Sequence, residues 1–387
     1  MSIMKIKDLT EQIRGVSYKP SDVVTSDVGL PILRANNIKG NSLSFDDLVF
    51  VKPERVSKKQ ILQNGDIVIC ASSGSKELVG KAGVFSNNDM YSFGAFCKAV
   101  RVKRIDGINS NYVRLYFGSK YYRECIAMSS KGSNINNIKT ENIEELSINI
   151  PSAEEQNIAV SLLNALISAI EHKKQELASL DELVKSRFIE MFGDIDLSPQ
   201  KSEWTKLSDL GTIYTGTTPS TGDETNWDGS ILWITPAEMN DESFFIDNTI
   251  RKITEKGMKS KSLSLMPVGT VLLSTRAPIG KVGIVAKPMT CNQGFKNFYC
   301  PNKLNSVFLY VVLKNNTQYL NAIGTGTTFK EISKTTCGNI RVPVPPIELQ
   351  NEFAEFVKLI DKSKFIVQQQ IKDLQELLDS KMDEYFR

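Results

Sequence analysis

The sequence predicts an α/β (α+β) chain in which two similar mixed α/β domains are joined by two long helices that form an intramolecular antiparallel coiled coil. Three observations carry this prediction: a repeat that spans the chain, short β-forming runs among Gly-, Ser-, Thr- and Asn-rich stretches, and two long segments with heptad spacing. The length of 387 residues suits two to three domains of roughly 150 residues each. Two matched halves also predict a pseudo-twofold molecule.

The repeat has a period of about 200 residues, and its segments keep the same order in both halves. The paired segments are 5–9 (KIKDL) with 206–210 (KLSDL), 65–69 (GDIVI) with 269–273 (GTVLL), 80–84 (GKAGV) with 280–284 (GKVGI), and 151–157 (PSAEEQN) with 345–351 (PPIELQN). Each match is short, so the evidence lies in their shared order.

The globular part of each copy is predicted to combine strands and helices. The runs 67–69 and 271–273 consist of Ile, Val and Leu and lie among turn-forming residues, which predicts strands. Helical spacing of apolar residues predicts helices over 112–126 and 307–323.

The helical segments, at about 152–192 and 346–386, contain no internal Pro or Gly and open on Glu-rich first turns, as helix N-termini do. Alternating steps of four and three residues land mostly on apolar side chains, which predicts a coiled-coil seam on rods about 57 Å long. The predicted seam comprises Leu163, Leu166, Ile170, Leu177, Leu180, Val184, Val357, Ile360, Val367, Ile371, Leu374 and Leu378. Chain geometry favours an antiparallel pair, and a parallel pair joined by a crossover through the second domain is the alternative.

Charge separates along these boundaries. The predicted globular domains are 1–150 and 198–345, and the predicted helical regions are 151–197 and 346–387. The globular domains hold 21 Lys+Arg against 15 Asp+Glu and 16 against 11, whereas the helical regions hold 4 against 9 and 6 against 9. The net charge of +3 therefore conceals two basic domains, which favour a polyanionic ligand, and two acidic helical regions, which favour a protein partner.

The sequence contains no recognisable catalytic constellation. The single histidine, His172, falls inside a predicted helix, where solvent exposure is expected, and no Walker-type, G-x-G-x-x-G, G-x-S-x-G or Asn/Asp-Pro-Pro-aromatic motif is present. The six cysteines include no CxxC pair, so buried reduced thiols are expected rather than a zinc site. No apolar run reaches the roughly 18–20 residues of a membrane span, and the N-terminus shows no signal-peptide pattern. We therefore expect a cytoplasmic chain that is not an enzyme, with no metal site and no membrane partner.

The second half carries a series of motifs that is found in a known family. The series is 215–220 (TGTTPS), 269–280 (GTVLLSTRAPIG), 291–295 (CNQGF) and 342–350 (VPVPPIELQ). It resembles the target-recognition domain of specificity subunits (the HsdS family) of type I restriction–modification systems. The first half resembles that domain more loosely, with 71–75 (ASSGS) and 92–96 (SFGAF) in the corresponding places.

The resemblance implies a DNA-recognition subunit with no chemistry of its own. Each recognition domain would read one half of a bipartite, asymmetric duplex DNA site through the major groove. The coiled coil would set the unread spacer and dock two methylation subunits, which use S-adenosylmethionine to methylate adenine. Restriction subunits would join through the methylase complex and use ATP, so this chain would hold no cofactor. Two alternatives stay open: a coiled-coil scaffold with two sugar- or peptide-binding domains, and the specificity subunit of a type II-like methylase–nuclease.

Candidate DNA contacts are polar loop residues, because Arg and Lys bind guanine, Asn and Gln bind adenine, and Lys, Arg, Ser and Thr bind phosphates. In the first domain they are Arg34, Asn36, Asn37, Lys39, Ser72, Ser73, Ser75, Lys76, Lys131, Ser133, Asn134, Asn136 and Lys139. In the second domain they are Thr215, Thr217, Thr218, Ser220, Thr275, Arg276, Lys281, Thr325, Thr327, Thr328 and Lys330.

Some of these candidates also have a structural interpretation. Asn36 and Asn37 suit a turn, and Lys281 matches Lys81 across the repeat, which favours a shared structural or phosphate-binding role over base readout. The segment 292–295 suits a turn beside the core rather than a DNA contact. Arg276 is the strongest candidate for a base contact.

Overall fold

The computed structural model describes residues 2–75, 77–129, 137–239, 244–276, 278–326 and 330–387. The chain forms two compact units: the first comprises Met1–Lys174 with Gln369–Arg387, and the second comprises Gln175–Gln368. Each unit contains one globular domain and one half of each long helix.

The first globular domain and the helix that follows it are built from short strands and helices. The strands are β1 Ser2–Lys5, β2 Thr10–Arg14, β3 Val23–Val24, β4 Leu30–Leu33, β5 Ile38–Lys39, β6 Ser42–Leu43, β7 Val49–Val51, β8 Ile67–Cys70, β9 Ala82–Val84, β10 Ser92–Phe93, β11 Cys97–Val102 and β12 Ser147–Ile150. The helices are α1 Ile6–Leu9, α2 Ser110–Tyr116, α3 Lys120–Ser129, α4 Thr140–Glu144 and α5 Ala153–Phe192.

The second copy follows the same plan. Its strands are β13 Thr205–Lys206, β14 Thr212–Thr215, β15 Trp227–Ile234, β16 Phe245–Ile246, β17 Lys252–Ile253, β18 Val271–Leu273, β19 Val282–Val285, β20 Met289–Cys291, β21 Lys296–Tyr299 and β22 Arg341–Val342. Its helices are α6 Leu207–Leu210, α7 Glu255–Ser260, α8 Ser306–Asn315, α9 Thr317–Ile323, α10 Lys334–Asn339 and α11 Ile347–Phe386.

The central sheets of the two domains share a strand order. The first has the order β2-β11-β8-β9, and the second begins with the matching order β14-β21-β18-β19 before β16 is added. β8 and β18 are the strands predicted at 67–69 and 271–273, and both are completely buried. Gly80 and Gly280 adopt φ values of +82° and +94°, a conformation that favours glycine, and this explains why the repeat retains glycine there. The prediction of two similar mixed α/β domains is confirmed.

Each domain also contains a second sheet. In the first domain its order is β10-β4-β7-β3, and in the second it is β17-β15-β20. A short parallel pairing recurs in both: β10 with β4, and β20 with β15.

The two predicted long helices are confirmed as α5 and α11, and every predicted seam side chain is buried or half-buried. In the first unit, Leu378 and Met382 of α11 share one apolar core with Leu163 of α5. In the second unit, Arg187 pairs with Glu352 at 2.9 Å and Lys364 pairs with Asp181. The residue paired on α11 has a lower number when its partner on α5 has a higher one, so the two helices run antiparallel there. The parallel alternative is therefore excluded for this unit.

A buried, hydrogen-bonded glutamine, which we call the helix-start clamp, fixes the start of each long helix. The buried side chain of Gln156 accepts a hydrogen bond from the Asn109 backbone N–H at 2.8 Å and donates to the Pro151 carbonyl at 3.0 Å. Gln350 repeats this arrangement, accepting from the Asn305 N–H at 2.8 Å and donating to the Pro345 carbonyl at 2.7 Å. The repeated Gln-Asn motif therefore joins a long helix to its domain.

The helices predicted over 112–126 and 307–323 are each broken in two, which corrects the prediction. The Ser119 side chain donates to the Tyr116 carbonyl and accepts from the Tyr122 N–H, so it ends α2 and starts α3. Asn316 separates α8 from α9, and its buried amide accepts a hydrogen bond from the Leu197 N–H and donates to the Ile195 and Val312 carbonyls. Both side chains compete with helical backbone hydrogen bonds.

The cysteines are free, and all but the half-buried Cys125 are buried. Burial raises the pKa of Cys97, Cys291 and Cys337 to about 12, so these thiols stay protonated near neutral pH. His172 is exposed on α5, as predicted. Within the described ranges, no helix combines the length and hydropathy that a membrane crossing requires.

Candidate nucleic-acid interface

A cleft of about 640 Å³ opens at one edge of the first domain. Its lining residues are Val16, Ser17, Tyr18, Arg34, Ala35, Asn36, Ser72, Ser73, Gly74, Gly94, Ala95, Phe96 and Cys97. Four segments that are distant in sequence meet here, and four of the predicted DNA contacts are among them: Arg34, Asn36, Ser72 and Ser73.

Strand topology brings these segments together. β2 and β8 both pair antiparallel with β11, so their carboxyl ends lie at one edge of the sheet, beside the start of β11. Backbone hydrogen bonds then fix the loops: the Val16 N–H donates to Phe93 at 2.7 Å, and the Gly94 N–H donates to Leu33 at 2.9 Å. The cleft is therefore held by the main chain, and its side chains can vary without loss of the fold.

Asp47 holds two of the cleft's polar side chains. One guanidinium nitrogen of Arg34 donates to the Asp47 carboxylate at 2.9 Å and to its backbone carbonyl at 2.7 Å. The Asn36 amide donates to the same carboxylate at 3.0 Å. Asp47 therefore restricts the orientation of both predicted DNA contacts.

A second, basic cleft of about 370 Å³ adjoins the first and shares Ser17, Ala95 and Cys97 with it. It brings Arg14, Lys98 and Lys139 together, with Glu141 also in its lining. Lys98 lies directly opposite Arg14 in the β2–β11 pair, and burial lowers the pKa of Lys98, an effect that the Arg14 charge reinforces. Three converging cations make this cleft suited to an anion such as phosphate.

Sequence reasoning found Lys139 but missed Arg14 and Lys98. Both lie in strands, whereas DNA contacts were predicted in polar loops. The matching strand position in the second copy is Lys296, since Lys98 pairs with Arg14 as Lys296 pairs with Thr215. A lysine at the same strand position in both copies of the repeat was the available signal.

The second domain forms the equivalent edge with different side chains. The Thr275 N–H donates to the Gly294 carbonyl at 2.7 Å, and the Asn292 N–H donates to Ile234 at 3.0 Å, which again fixes the loops to the strands. Thr218 donates to the Gln293 side chain at 2.8 Å, so an amide that sequence reasoning assigned to a turn lies beside a predicted DNA contact.

An ion cluster surrounds Arg276 at this edge. Its guanidinium pairs with Glu331 at 2.9 Å, and the ammonium of Lys296, whose side chain is only 9% exposed, lies 3.5 Å from the other oxygen of that carboxylate. The hydrogen bond from Arg276 lowers the pKa of Glu331, so this carboxylate stays ionised near neutral pH. Arg276 remains 47% exposed, and Thr325 forms a β-bridge with Glu331 on the same segment.

Three of the predicted contacts are withdrawn because their polar atoms are engaged inside the fold. Asn37 is buried, donates to the Asp46 carbonyl and accepts from the Arg34 N–H, and Thr275 is buried and bonded to Gly294. The ammonium of Lys281 donates to the carbonyls of Pro236 and Met239 at 3.1 and 2.6 Å, which is the structural role considered for it.

The remaining predicted contacts are distributed as follows. Lys39, Ser75, Lys139, Thr215, Ser220, Thr325 and Lys330 are exposed, and Thr217 is half-buried. Lys76, Lys131, Ser133, Asn134, Asn136, Thr327 and Thr328 lie outside the described residues. Within the described residues, no group of three or more His, Cys, Asp and Glu side chains is arranged to hold a metal ion.

Two related domains, each with a loop-lined edge at the strand ends, define a protein with a tandem domain repeat. The family described as type I restriction modification DNA specificity domain matches the chain twice, over residues 1–182 and 199–376. The chain therefore belongs to this family, and the resemblance read from its motifs is confirmed.

Individual relatives agree with this assignment. The chain is 38% identical over 184 residues to the MjaIX specificity subunit of Methanocaldococcus jannaschii, which covers 46% of this chain and 43% of that protein. It is 36% identical over 185 residues to the EcoKI specificity subunit of Escherichia coli, covering 47% of this chain and 39% of that one. The matched region thus spans less than half the length of these curated relatives.

Solved structures share the fold. A chain from a structure of a type I R-M system superposes with a TM-score of 0.57 at 15% identity, over 100% of this chain and 97% of that one. The S subunit of a type I restriction-modification system from M. genitalium gives a TM-score of 0.56 at 13% identity, over 100% of this chain and 96% of that one.

Proposed function

We propose that this chain is a non-catalytic specificity subunit that recognises a bipartite duplex DNA site, with one half-site for each globular domain. The observation that carries the proposal is the convergence of Arg34, Asn36, Ser72 and Ser73 in one cleft, beside the cations Arg14, Lys98 and Lys139. Side chains that read base edges thus lie next to side chains that bind phosphates, which is the combination that sequence-specific binding needs.

The second domain supports the same role with other side chains. Arg276, Gln293 and Thr218 offer a guanidinium, an amide and a hydroxyl at the equivalent edge. Because the backbone framework is shared and the side chains differ, the two half-sites are expected to differ in sequence. Two weak readers in one chain bind as a linked pair, so their half-site affinities combine.

The helices serve as spacer and docking element in this proposal. Domains 1–150 and 198–345 read DNA, and regions 151–197 and 346–387 set the distance between half-sites and dock two methylation subunits. S-adenosylmethionine and ATP belong to methylation and restriction subunits rather than to this chain. The assembly acts in the cytoplasm, where its DNA is.

The test is selection from a randomised duplex library by the full chain together with its methylation subunits. We expect enrichment of one bipartite, asymmetric sequence, and binding that weakens steeply as salt rises because phosphate contacts release counterions. Substituting Arg34 or Arg276 should each relax one half-site only. An unenriched library, or binding that is indifferent to salt, would instead support the scaffold alternative.

A further inference from the structure

Phe96 presents an aromatic ring to solvent inside the cleft of the first domain. The residue is 69% exposed and lines the cleft together with Arg34, Asn36 and Ser72. Its neighbour Cys97 is buried in the core, so the Phe96 ring lies on the opposite side of the backbone and points outward.

The position of Phe96 is fixed by its backbone. Its carbonyl accepts hydrogen bonds from the Ala71 and Ser72 N–H groups at 2.9 and 3.0 Å. The Cys97 N–H closes a turn onto the Gly94 carbonyl at 2.8 Å. The ring is therefore exposed on a bonded framework, which is the arrangement expected of a contact residue.

The fold does not require an aromatic residue here. In the second domain the carbonyl that accepts the Thr275 N–H belongs to Gly294, the counterpart of Phe96. The preceding residue there is Gln293, bonded to Thr218, where the first domain has Ala95. The same backbone arrangement thus presents the apolar ring of Phe96 in the first domain and the amide of Gln293 in the second.

The surroundings of the ring indicate what it contacts. Its cleft adjoins the cations Arg14, Lys98 and Lys139, which favours a polyanion over an apolar protein surface. In the major groove of DNA, the 5-methyl group of thymine is the apolar feature on a base edge.

We propose that Phe96 reads a thymine in the half-site of the first domain by contact with its 5-methyl group. The inference rests on the proposed DNA-recognition function. It adds to that function one base, thymine, and the group by which this base is recognised. The polar neighbours Arg34 and Asn36 contact bases or phosphates on either side of that thymine.

The test uses the full chain with its methylation subunits and the duplex selected by the wild type. Each thymine of the selected site is replaced in turn by deoxyuridine, which removes only the methyl group. We expect one position in the first domain's half-site at which this replacement weakens wild-type binding about fourfold, the value for burying one methyl-sized group. Phe96→Ala should lose this sensitivity, and Phe96→Leu should retain part of it.

Met90→Ala is the matched control, because Met90 is 66% exposed in the same domain and lies outside the cleft lining. It should keep the wild-type deoxyuridine profile. If no thymine is sensitive, or if Phe96→Ala keeps the wild-type profile, the inference is overturned. Weaker assembly of that variant with the methylation subunits would then assign the ring to another interface. A wild type that selects no duplex overturns the proposed function itself, which is a different result.

Discussion

At the scale of single residues, the candidate interface depends on cations that are already held by carboxylates. Arg34 is bonded to Asp47 and Arg276 to Glu331, each at 2.9 Å. A carboxylate that fixes an arginine reduces the conformational freedom lost when the guanidinium binds a base. In the proposed function, loop residues of this kind would determine specificity through orientation as well as through charge.

Arg276→Ala should weaken binding to the selected duplex by about 1–3 kcal/mol if the guanidinium forms a bidentate contact with guanine. Discrimination should relax at one base pair of the second half-site. Competition binding against single-base variants of the duplex measures both effects. Lys287→Ala is the control, since Lys287 is an exposed cation of the same domain that pairs only loosely with Asp247, at 3.6 Å. Equal losses for both variants would contradict base readout by Arg276.

Arg14→Gln should act differently, because its cleft is suited to phosphate. We expect weaker binding to specific and unrelated duplexes alike, and a salt dependence reduced by about one counterion. The slope of log affinity against log salt concentration measures this. Lys59→Gln, an exposed lysine near the same strand that pairs with Glu11, provides the comparison. A change confined to one base position would show that Arg14 reads sequence instead.

At the scale of elements, the helix-start clamp explains why both halves of the chain have a glutamine five residues after the proline, at Gln156 and Gln350. Gln350 is fully buried, and its amide satisfies the Asn305 N–H and the carbonyls of Pro345 and Lys303. A buried polar group without a hydrogen-bond partner lowers stability. This side chain therefore contributes more to the free energy of unfolding than a surface glutamine of the same helix does.

Gln350→Ala should lower the free energy of unfolding by about 2–4 kcal/mol, since several buried polar groups lose their partner. Urea unfolding followed by circular dichroism measures the change. Gln370→Ala provides the matched control, because Gln370 is exposed on the same helix and its loss should change stability by less than about 0.5 kcal/mol. Equal midpoints for the two variants would disprove the clamp's contribution.

The sequence was sufficient to predict the elements but not the interface. Heptad spacing located both long helices because one periodic pattern determines burial over forty residues, as in α5. The breaks at Ser119 and Asn316 were missed because each depends on the hydrogen bonds of one side chain. Arg14 and Phe96 were missed because tertiary contacts, rather than local pattern, place them at the cleft. Asn37 and Thr275 were assigned to DNA because burial of a polar loop residue depends on partners that lie far away in sequence.

At the scale of the whole molecule, the proposed spacer role predicts that helix length sets half-site separation. One heptad added to both α5 and α11 keeps the seam in register and adds about 10.5 Å, or about three base pairs. Methylation assays on duplexes with graded spacers measure the preferred separation. As a control, a seven-residue Gly/Ser insertion into the loop at 87–88 should leave the preferred half-site separation unchanged. An unaltered preference after the helix insertions would refute the spacer role.

The carboxylate partners of Arg34 and Arg276 also bear on how such a protein would search a chromosome. Asp47 or Glu331 lies beside each guanidinium and offsets its charge, so a passing phosphate gains little from it. Random sequence would then gain little from these two arginines, whereas a matching base would gain two hydrogen bonds from each guanidinium. Short dwell times on the wrong sequence would allow the chain to sample many sites before it stops at one.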